Sequence, residues 1–414
     1  VDVNLIHLAP MIPHRLLFLF LTTTALPAEP GAVVTLDSVG DRVRAQNPEL
    51  AAARLAISEA VGRMRQSGRL ENPELEVEAE HNDDFAERRL EIGLRQKFPV
   101  TSRLRLEREL GATRVRAAEN EVREVANRLT GEARAALVEL LALRERRALV
   151  RQQSEVSGEL ADFIQESARK GEASSIDAGQ ARLETSRFST ELRRLQAEEQ
   201  RALGTLKPLL GMSPGERLHV SGALPGLRLP EGADPAGRPA MEIARLAVLE
   251  AEQQVAIERS RRFGDVAAGV FVGAERVVDA PEAADKEGIV GIRFTVPLPF
   301  WDKNEGNIEA AEARAERRRK EAYALDREIR LGAEAARAEM LEWAKMAREV
   351  EDELLPQAAE QTDLAEQAWR DGQGDLLTVL RSREQRLELA AARLEALTQF
   401  QLARVRYQTV LGEP

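Results

Sequence analysis

Two stretches of this chain about 200 residues apart carry the same plan, so the fold must be assembled from two like halves. Asn47-Pro48 opens a run containing Ala53-Arg54-Leu55-Ala56, and Arg238-Pro239 opens one containing Ala244-Arg245-Leu246-Ala247, an offset of 191. The segment from Leu90 to Pro99 recurs as Val290 to Pro299, an offset of 200. Arg169, Gly171, Arg182, Leu210 and Gly211 recur as Arg370, Gly372, Arg383, Leu411 and Gly412, an offset of 201. The helix after each of these glycines keeps its length, and length changes are confined to loops, which favours one continuous object over separate domains.

Each half contains a pair of short alternating segments. Leu75, Val77 and Ala79 alternate with Glu74, Glu76, Glu78 and Glu80; after Asn82-Asp83-Asp84, Leu90, Ile92 and Leu94 alternate with Glu91, Gly93 and Arg95. In the second half, Val266, Ala268, Val270 and Val272 start an outgoing strand and the turn is expected over Asp279 to Gly288. Val290, Ile292, Phe294 and Val296 then share one face of the return strand, with Arg293 and Thr295 on the other. A half-buried soluble sheet gives the same alternation. Here, however, the flanking segments are polar helices that offer little to cover an apolar face, and a lone hairpin is not stable. Strands with apolar-out, charged-in alternation suit a membrane barrel, and Val290, Ile292, Phe294 and Val296 are the expected lipid-facing set. Four strands cannot close a useful barrel, so several chains would have to share one.

The rest reads as long helix. Aromatics are only 4% of the chain and charged residues 31%, the profile of extended exposed helices. No proline interrupts Arg103 to Lys170, and Val122, Val125, Leu129, Ala133, Ala136, Leu140, Leu143 and Val150 keep spacings of three, four or seven. A return helix is expected over about Ser174 to Leu210, and a shorter first helix over residues 41 to 70. Asp302 to Asp371 repeats the plan, with Asp302 and Glu305 spaced as a capping box and Pro356 as an expected break or kink. Leu380, Leu387 and Leu394 give the last helix a coiled-coil seam. Residues 213–238, rich in Pro and Gly, read as a connector between a first repeat at 29–212 and a second at 239–414. Residues 1–28, with Met11, His14 and Arg15 before the apolar run Leu16 to Leu21, read as a secretory leader. That run is too short to span a membrane, and no later stretch is apolar enough to cross as a helix.

Several function classes find no support. The net charge is −11 with no basic cluster, which argues against nucleic acid. There is no cysteine, hence no thiolate chemistry and no lipid-modified N-terminal Cys. Of four histidines, His7 and His14 lie in the leader; His81 with Asp83 and Asp84 reads as an ordinary exposed turn rather than a metal site. Carboxylates stand among Arg and Lys on helix faces, where pairing four residues apart explains them, and no phosphate-binding loop or nucleophile-base arrangement is present. No catalytic residue, cofactor or bound metal is expected.

Helix, strand pair, long helix, Gly turn and helix, performed twice around a Pro/Gly connector, resembles the TolC family of outer-membrane efflux channels over nearly the whole mature chain. The stretch Val296-Pro297-Leu298-Pro299-Phe300-Trp301-Asp302-Lys303-Asn304-Glu305-Gly306-Asn307-Ile308 is similar to the branch that serves cobalt-zinc-cadmium efflux pumps. The resemblance implies a homotrimer with a 12-stranded barrel in outer-membrane lipid and a helical tunnel in the periplasm, working with a periplasmic adaptor and an inner-membrane RND transporter. It implies that the tips Arg169-Lys170-Gly171 and Arg370-Asp371-Gly372 meet the adaptor, although Gly at a helix end is in the first instance a C-cap. It also places Asp177 at the tunnel entrance, where three copies would form a ring favouring cations. The second repeat departs from that pattern, with Thr378 at the matching position and Arg381 where another acid would be expected. Asp375 could replace it only if it faces inward, and an Asp near a helix start is more often a cap. The competing class is a periplasmic adaptor or coiled-coil scaffold, against which the two strand pairs argue. A third reading keeps the channel and assigns it to drug export or type I protein secretion.

Overall fold

The computed structural model describes residues 33–81, 83, 87–230, 237–277 and 285–413; the leader expected at 1–28 lies outside these. The described residues begin with a two-residue strand β1 (Val33–Val34) and helix α1 (Val39–Gln46). The first repeat then runs α2 (Pro48–Gln66), β2 (Glu74–His81), β3 (Arg88–Phe98), α3 (Arg103–Lys170) and α4 (Ser175–Leu209). After β4 (His219–Val220), which pairs in parallel with β1, the second repeat runs α5 (Pro239–Ser260), β5 (Val266–Val277), β6 (Asp285–Thr295) and α6 (Glu305–Glu349). A π-helical turn (Val350–Leu354), α7 (Leu355–Arg370) and α8 (Leu376–Leu411) complete it.

The single helix expected over 41–70 is two, α1 and α2. Asn47 is extended (φ −66°, ψ 124°), as a residue before proline prefers, and its Oδ1 accepts from the Leu50 N–H at 3.0 Å to cap α2. Its Nδ2 donates to the Leu209 carbonyl at 2.9 Å, so α4 abuts α2 end to end. Close approach at this joint requires glycine, because a Cβ on Gly211 would lie 2.1 Å from the Gln46 carbonyl oxygen. The guanidinium of Arg238 joins α8 to α5 in the same way, through the Val410 carbonyl at 3.3 Å. Each repeat is thus one very long helix beside two shorter ones stacked in line. At 68 residues, α3 reaches on the order of 100 Å.

The main core sits where the two repeats meet. Leu129, Ala133, Leu137 and Leu140 of α3 pack with Val39 and Val43 of α1, Leu206 of α4 and Leu394, Leu397 and Val405 of α8. The connector is tied along this body. Leu224 is buried in the same core. Arg144 donates to the Val220 carbonyl at 2.9 Å, Glu145 accepts from the Leu224 N–H at 2.7 Å, and Gln401 donates to the carbonyls of Pro225 and Gly226 at 2.8 and 3.0 Å.

Two details differ from expectation in the second repeat. Pro356 does not break the helix, because the turn before it widens to π geometry, an extra-residue adjustment that relieves the clash of the ring with a preceding carbonyl. The Asp302/Glu305 capping box does not form. Instead Asn304 adopts a left-handed conformation (φ 59°), Asp302 accepts from the Asn304 N–H at 2.8 Å, and the Asn304 amide donates to the Glu258 carbonyl at 2.8 Å, pinning the start of α6 to α5.

Candidate functional site

The strands form one antiparallel sheet in the order β2-β3-β5-β6. Its register fixes which side chains share a face. Leu75, Leu94, Val270 and Ile292 align in one row across all four strands, and Val77, Ile92, Val272 and Val290 in the next. Every residue in these rows is apolar, and Val290, Ile292 and Phe294 are 83%, 68% and 68% exposed. Val296, expected to continue this face, lies one residue past the end of β6, ahead of Pro297. The β5–β6 register extends to Val277↔Asp285, so the turn is shorter than the expected Asp279 to Gly288 and Gly288 belongs to β6.

The opposite face carries the charge. Arg293 pairs with Glu91 at 2.9 Å and approaches Glu76 and Glu78 at 3.7 and 3.8 Å. Arg89 also pairs with Glu91, and Arg95 pairs with Glu74 and Glu76. Glu91 is only 3% exposed, making it the most buried of these strand carboxylates. Beside it the Phe271 ring lies in a notch between Gly93 and Gly291, its register partners, with the Arg293 guanidinium 5.0 Å above the ring centre. A Cβ on Gly291 would strike that ring at 2.4 Å. Alternation alone did not single out Glu91 or Phe271; the strand glycines Gly93 and Gly291 were the available signal for a bulky neighbour.

Where the strands meet the helices, Phe300 and Trp301 stack edge to face at 6.1 Å and Trp301 is 96% exposed. Aromatic side chains in that position match the girdle at a membrane-water boundary.

At the far end of the helices stand two tight turns. Gly171 ends α3 with φ +83°, and the N–H groups of Gly171 and Glu172 return to the carbonyls of Ala168 and Ser167 at 3.1 and 2.9 Å. Arg169 and Lys170 are exposed and reach Glu166 at 3.7 and 3.5 Å. In the second tip Gly372 has φ +72°, Asp371 is the exposed helix end, and Arg370 reaches Glu366 at 3.3 Å. Gly171 performs the C-cap role that its position suggested, and Gly372 supplies the left-handed residue just past the Asp371 cap.

The residues expected at the entrance divide. Asp375 is the N-cap of α8, its Oδ1 accepting from the Thr378 N–H at 2.7 Å. Hydrogen bonds from Thr378, followed by the charge of Arg381, hold its carboxyl below the usual range. Asp375, Thr378 and Arg381 are therefore brought together, and all three are exposed. The cap of α4 is Ser174, which accepts from the Ile176 N–H at 3.1 Å, leaving Asp177 half-buried in the first turn without that duty. Below it Ile164, Ala178, Ala181 and Leu376 form a small core that joins the two tips, and Phe163 meets Trp369 edge to face at 5.9 Å. The Phe163–Trp369 contact was not foreseen, since it links residues from different repeats.

Comparisons with known proteins point one way. The family model described as "Outer membrane efflux protein" matches residues 235–413. The cobalt-zinc-cadmium resistance protein CzcC of Cupriavidus metallidurans is 26% identical over 403 residues, covering 94% of this chain and 88% of its own. Among solved structures, the outer-membrane channel OprN superposes with a TM-score of 0.76 at 17% identity, covering 92% of this chain and 90% of its own. CusC gives 0.75 at 16%, covering 92% of each. The outer membrane protein VceC of Vibrio cholerae gives 0.72 at 18%, covering 91% and 96%.

Proposed function

We propose that the chain is an outer membrane efflux protein, the trimeric exit duct of a pump for heavy-metal cations; the family model over residues 235–413 and the likeness to CzcC support this. It is an outer-membrane channel that extends into the periplasm, and a passive one rather than an enzyme. The observation that carries the trimer is the sheet: four strands with an apolar outer face leave two unpaired edges, which lipid does not tolerate. Three copies in register give a 12-stranded barrel without edges and put Glu74, Glu76, Arg95 and Arg293 around the lumen. In the same assembly Val290, Ile292 and Phe294 face lipid.

Substrate descends its gradient through the duct, with energy supplied by an inner-membrane RND transporter through a periplasmic adaptor. The tips Arg169–Gly171 and Arg370–Gly372 are the adaptor-docking surface in this reading, and their exposed basic side chains suit an acidic counterpart. Asp177 supplies one carboxylate per chain at the entrance, and a threefold ring of them favours cations. Asp375 contributes less, because capping α8 occupies it. Likeness to CzcC over most of both chains supports metals as cargo.

Deleting the gene from its host should sensitise it to cobalt, zinc and cadmium salts, and complementation should restore growth. Sensitivity to organic compounds alone would reassign the duct to drug export. A purified protein that remains monomeric in mild detergent would contradict the trimer itself.

A further inference from the structure

At the end of the sheet far from the helices, His81, Arg88, Arg276 and Lys286 occupy one register row across all four strands. Two-residue periodicity puts this row on the same face as Ala79, Leu90, Ala274 and Gly288, the last row of the apolar belt. His81, Arg88 and Lys286 are exposed and Arg276 half-buried. Among the described residues neither Arg88 nor Arg276 has an ion-pair partner within 4.0 Å, although carboxylates are abundant on the other face. The neighbouring row, Glu80, Arg89, Glu275 and Glu287, points to that other face, so charge is sorted by side rather than mixed.

The row also has a fixed depth. From Phe98/Val266 to Leu90/Ala274 the apolar belt spans roughly 26 Å of strand, or about 20 Å of height at the usual barrel tilt. The basic row begins where that belt ends, at the level of lipid headgroups. Within the sheet the outward rows nearest the helices, Gln96, Ala268 and Phe294 and then Phe98 and Val266, carry no charge. Among the paired strand rows, therefore, the outward face is basic only at the end away from the helices.

We propose that this row is a docking belt for the phosphate groups of the phosphorylated glycolipid in the outer leaflet. The inference rests on the outer-membrane reading above. Guanidinium groups suit phosphate because their planar fork presents paired donors, and a trimer would repeat the row three times around the barrel. The occupants would anchor the barrel at a set height and seal the protein-lipid boundary on the external side.

The test uses the full-length trimer in non-ionic detergent with two probes, bis-phosphorylated lipid A and the same lipid after enzymatic removal of its phosphates, counted per trimer by native mass spectrometry. The parent should prefer the phosphorylated lipid, and Arg88→Gln/Arg276→Gln/Lys286→Gln should abolish the preference. At roughly fivefold in affinity per surface cation, the loss is about a hundredfold. Arg95→Gln, on the opposite face, should retain it. Free inorganic phosphate at millimolar concentration should not displace the lipid; displacement would mean a simple anion site and overturn a lipid belt. Equal binding of both lipids by the parent would also overturn it, and needs no variant to assemble. A parent that is neither trimeric nor outer-membrane-bound would instead defeat the channel reading, which the same spectra and a membrane fractionation report separately.

Discussion

The helical body and the sheet of this molecule bury opposite kinds of residue. In the body, Leu129, Leu137 and Leu140 are inside and most Arg and Glu are outside, a buried carboxylate such as Glu199 being paired with Arg144 and Arg147. In the sheet, Leu75, Val77, Val290 and Ile292 are outside, while the carboxylate of Glu91 is covered by Arg89 and Arg293. The same chain thus follows the hydrophobic rule in one region and inverts it in the other. The inversion has a physical cause: a surface facing hydrocarbon gains nothing by hiding apolar side chains, whereas a lumen facing water must be polar. Solvent thus divides the molecule, with exposed Trp301 between the end of β6 and the start of α6.

Ile292→Arg places a charge against lipid at about 2 to 4 kcal/mol per site, repeated in each subunit, and should collapse the yield of trimer in mild detergent. Arg293→Gln, one residue away on the other face, should leave most of it. Equal yields would mean that the faces are reversed.

Leu137→Ala tests the ordinary region. Truncating this fully buried side chain should cost about 2 to 5 kcal/mol per chain, seen as a lower thermal midpoint of the helical circular dichroism signal. The same truncation at Val290 should scarcely move it, since no protein core is opened there.

A smaller effect sharpens the division at its periplasmic limit. Gly171→Val and Gly372→Val force a β-branched residue into a left-handed turn at about 1 to 3 kcal/mol each, with open space around the new side chain. Efflux in cells should fall while trimer yield holds. Loss of the trimer as well would show that the tips govern assembly, not docking.

The smallest effect concerns Asp177. Asp177→Asn should lower cation preference in single-channel recordings at low ionic strength, where screening is weakest, and leave conductance at high salt nearly unchanged. Selectivity equal to the parent would remove Asp177 from the pore.

Much of this was legible in the sequence because it depends on local pattern. The limits of α3 follow from a proline-free run closed by Gly171, and the outward rows of the sheet follow from strict alternation in β2, β3 and β6. What was not legible depends on distant partners. The stacking of α4 on α2 is made by Asn47 and Leu209, the fastening of the connector by Glu145 and Gln401, and the linkage of the tips by Phe163 and Trp369. Glu91 belongs with these, since its burial requires strands β3, β5 and β6 to be in register. Asn304 shows a third situation, in which two spaced acids suggested a capping box but a left-handed asparagine held by Glu258 took the corner instead.

Alternate residues of β6 are expected to see lipid and water. The chain contains no cysteine, so a single-cysteine scan can proceed on the native background. Spin labels placed one at a time at residues 289 to 294 of the reconstituted protein would be probed with oxygen, which concentrates in hydrocarbon, and with a water-soluble nickel chelate. Labels at Val290, Ile292 and Phe294 should respond to oxygen and those at Ile289, Gly291 and Arg293 to the chelate, with a period of two. Uniform accessibility to the chelate, without alternation, would contradict a membrane-facing sheet and the barrel built on it.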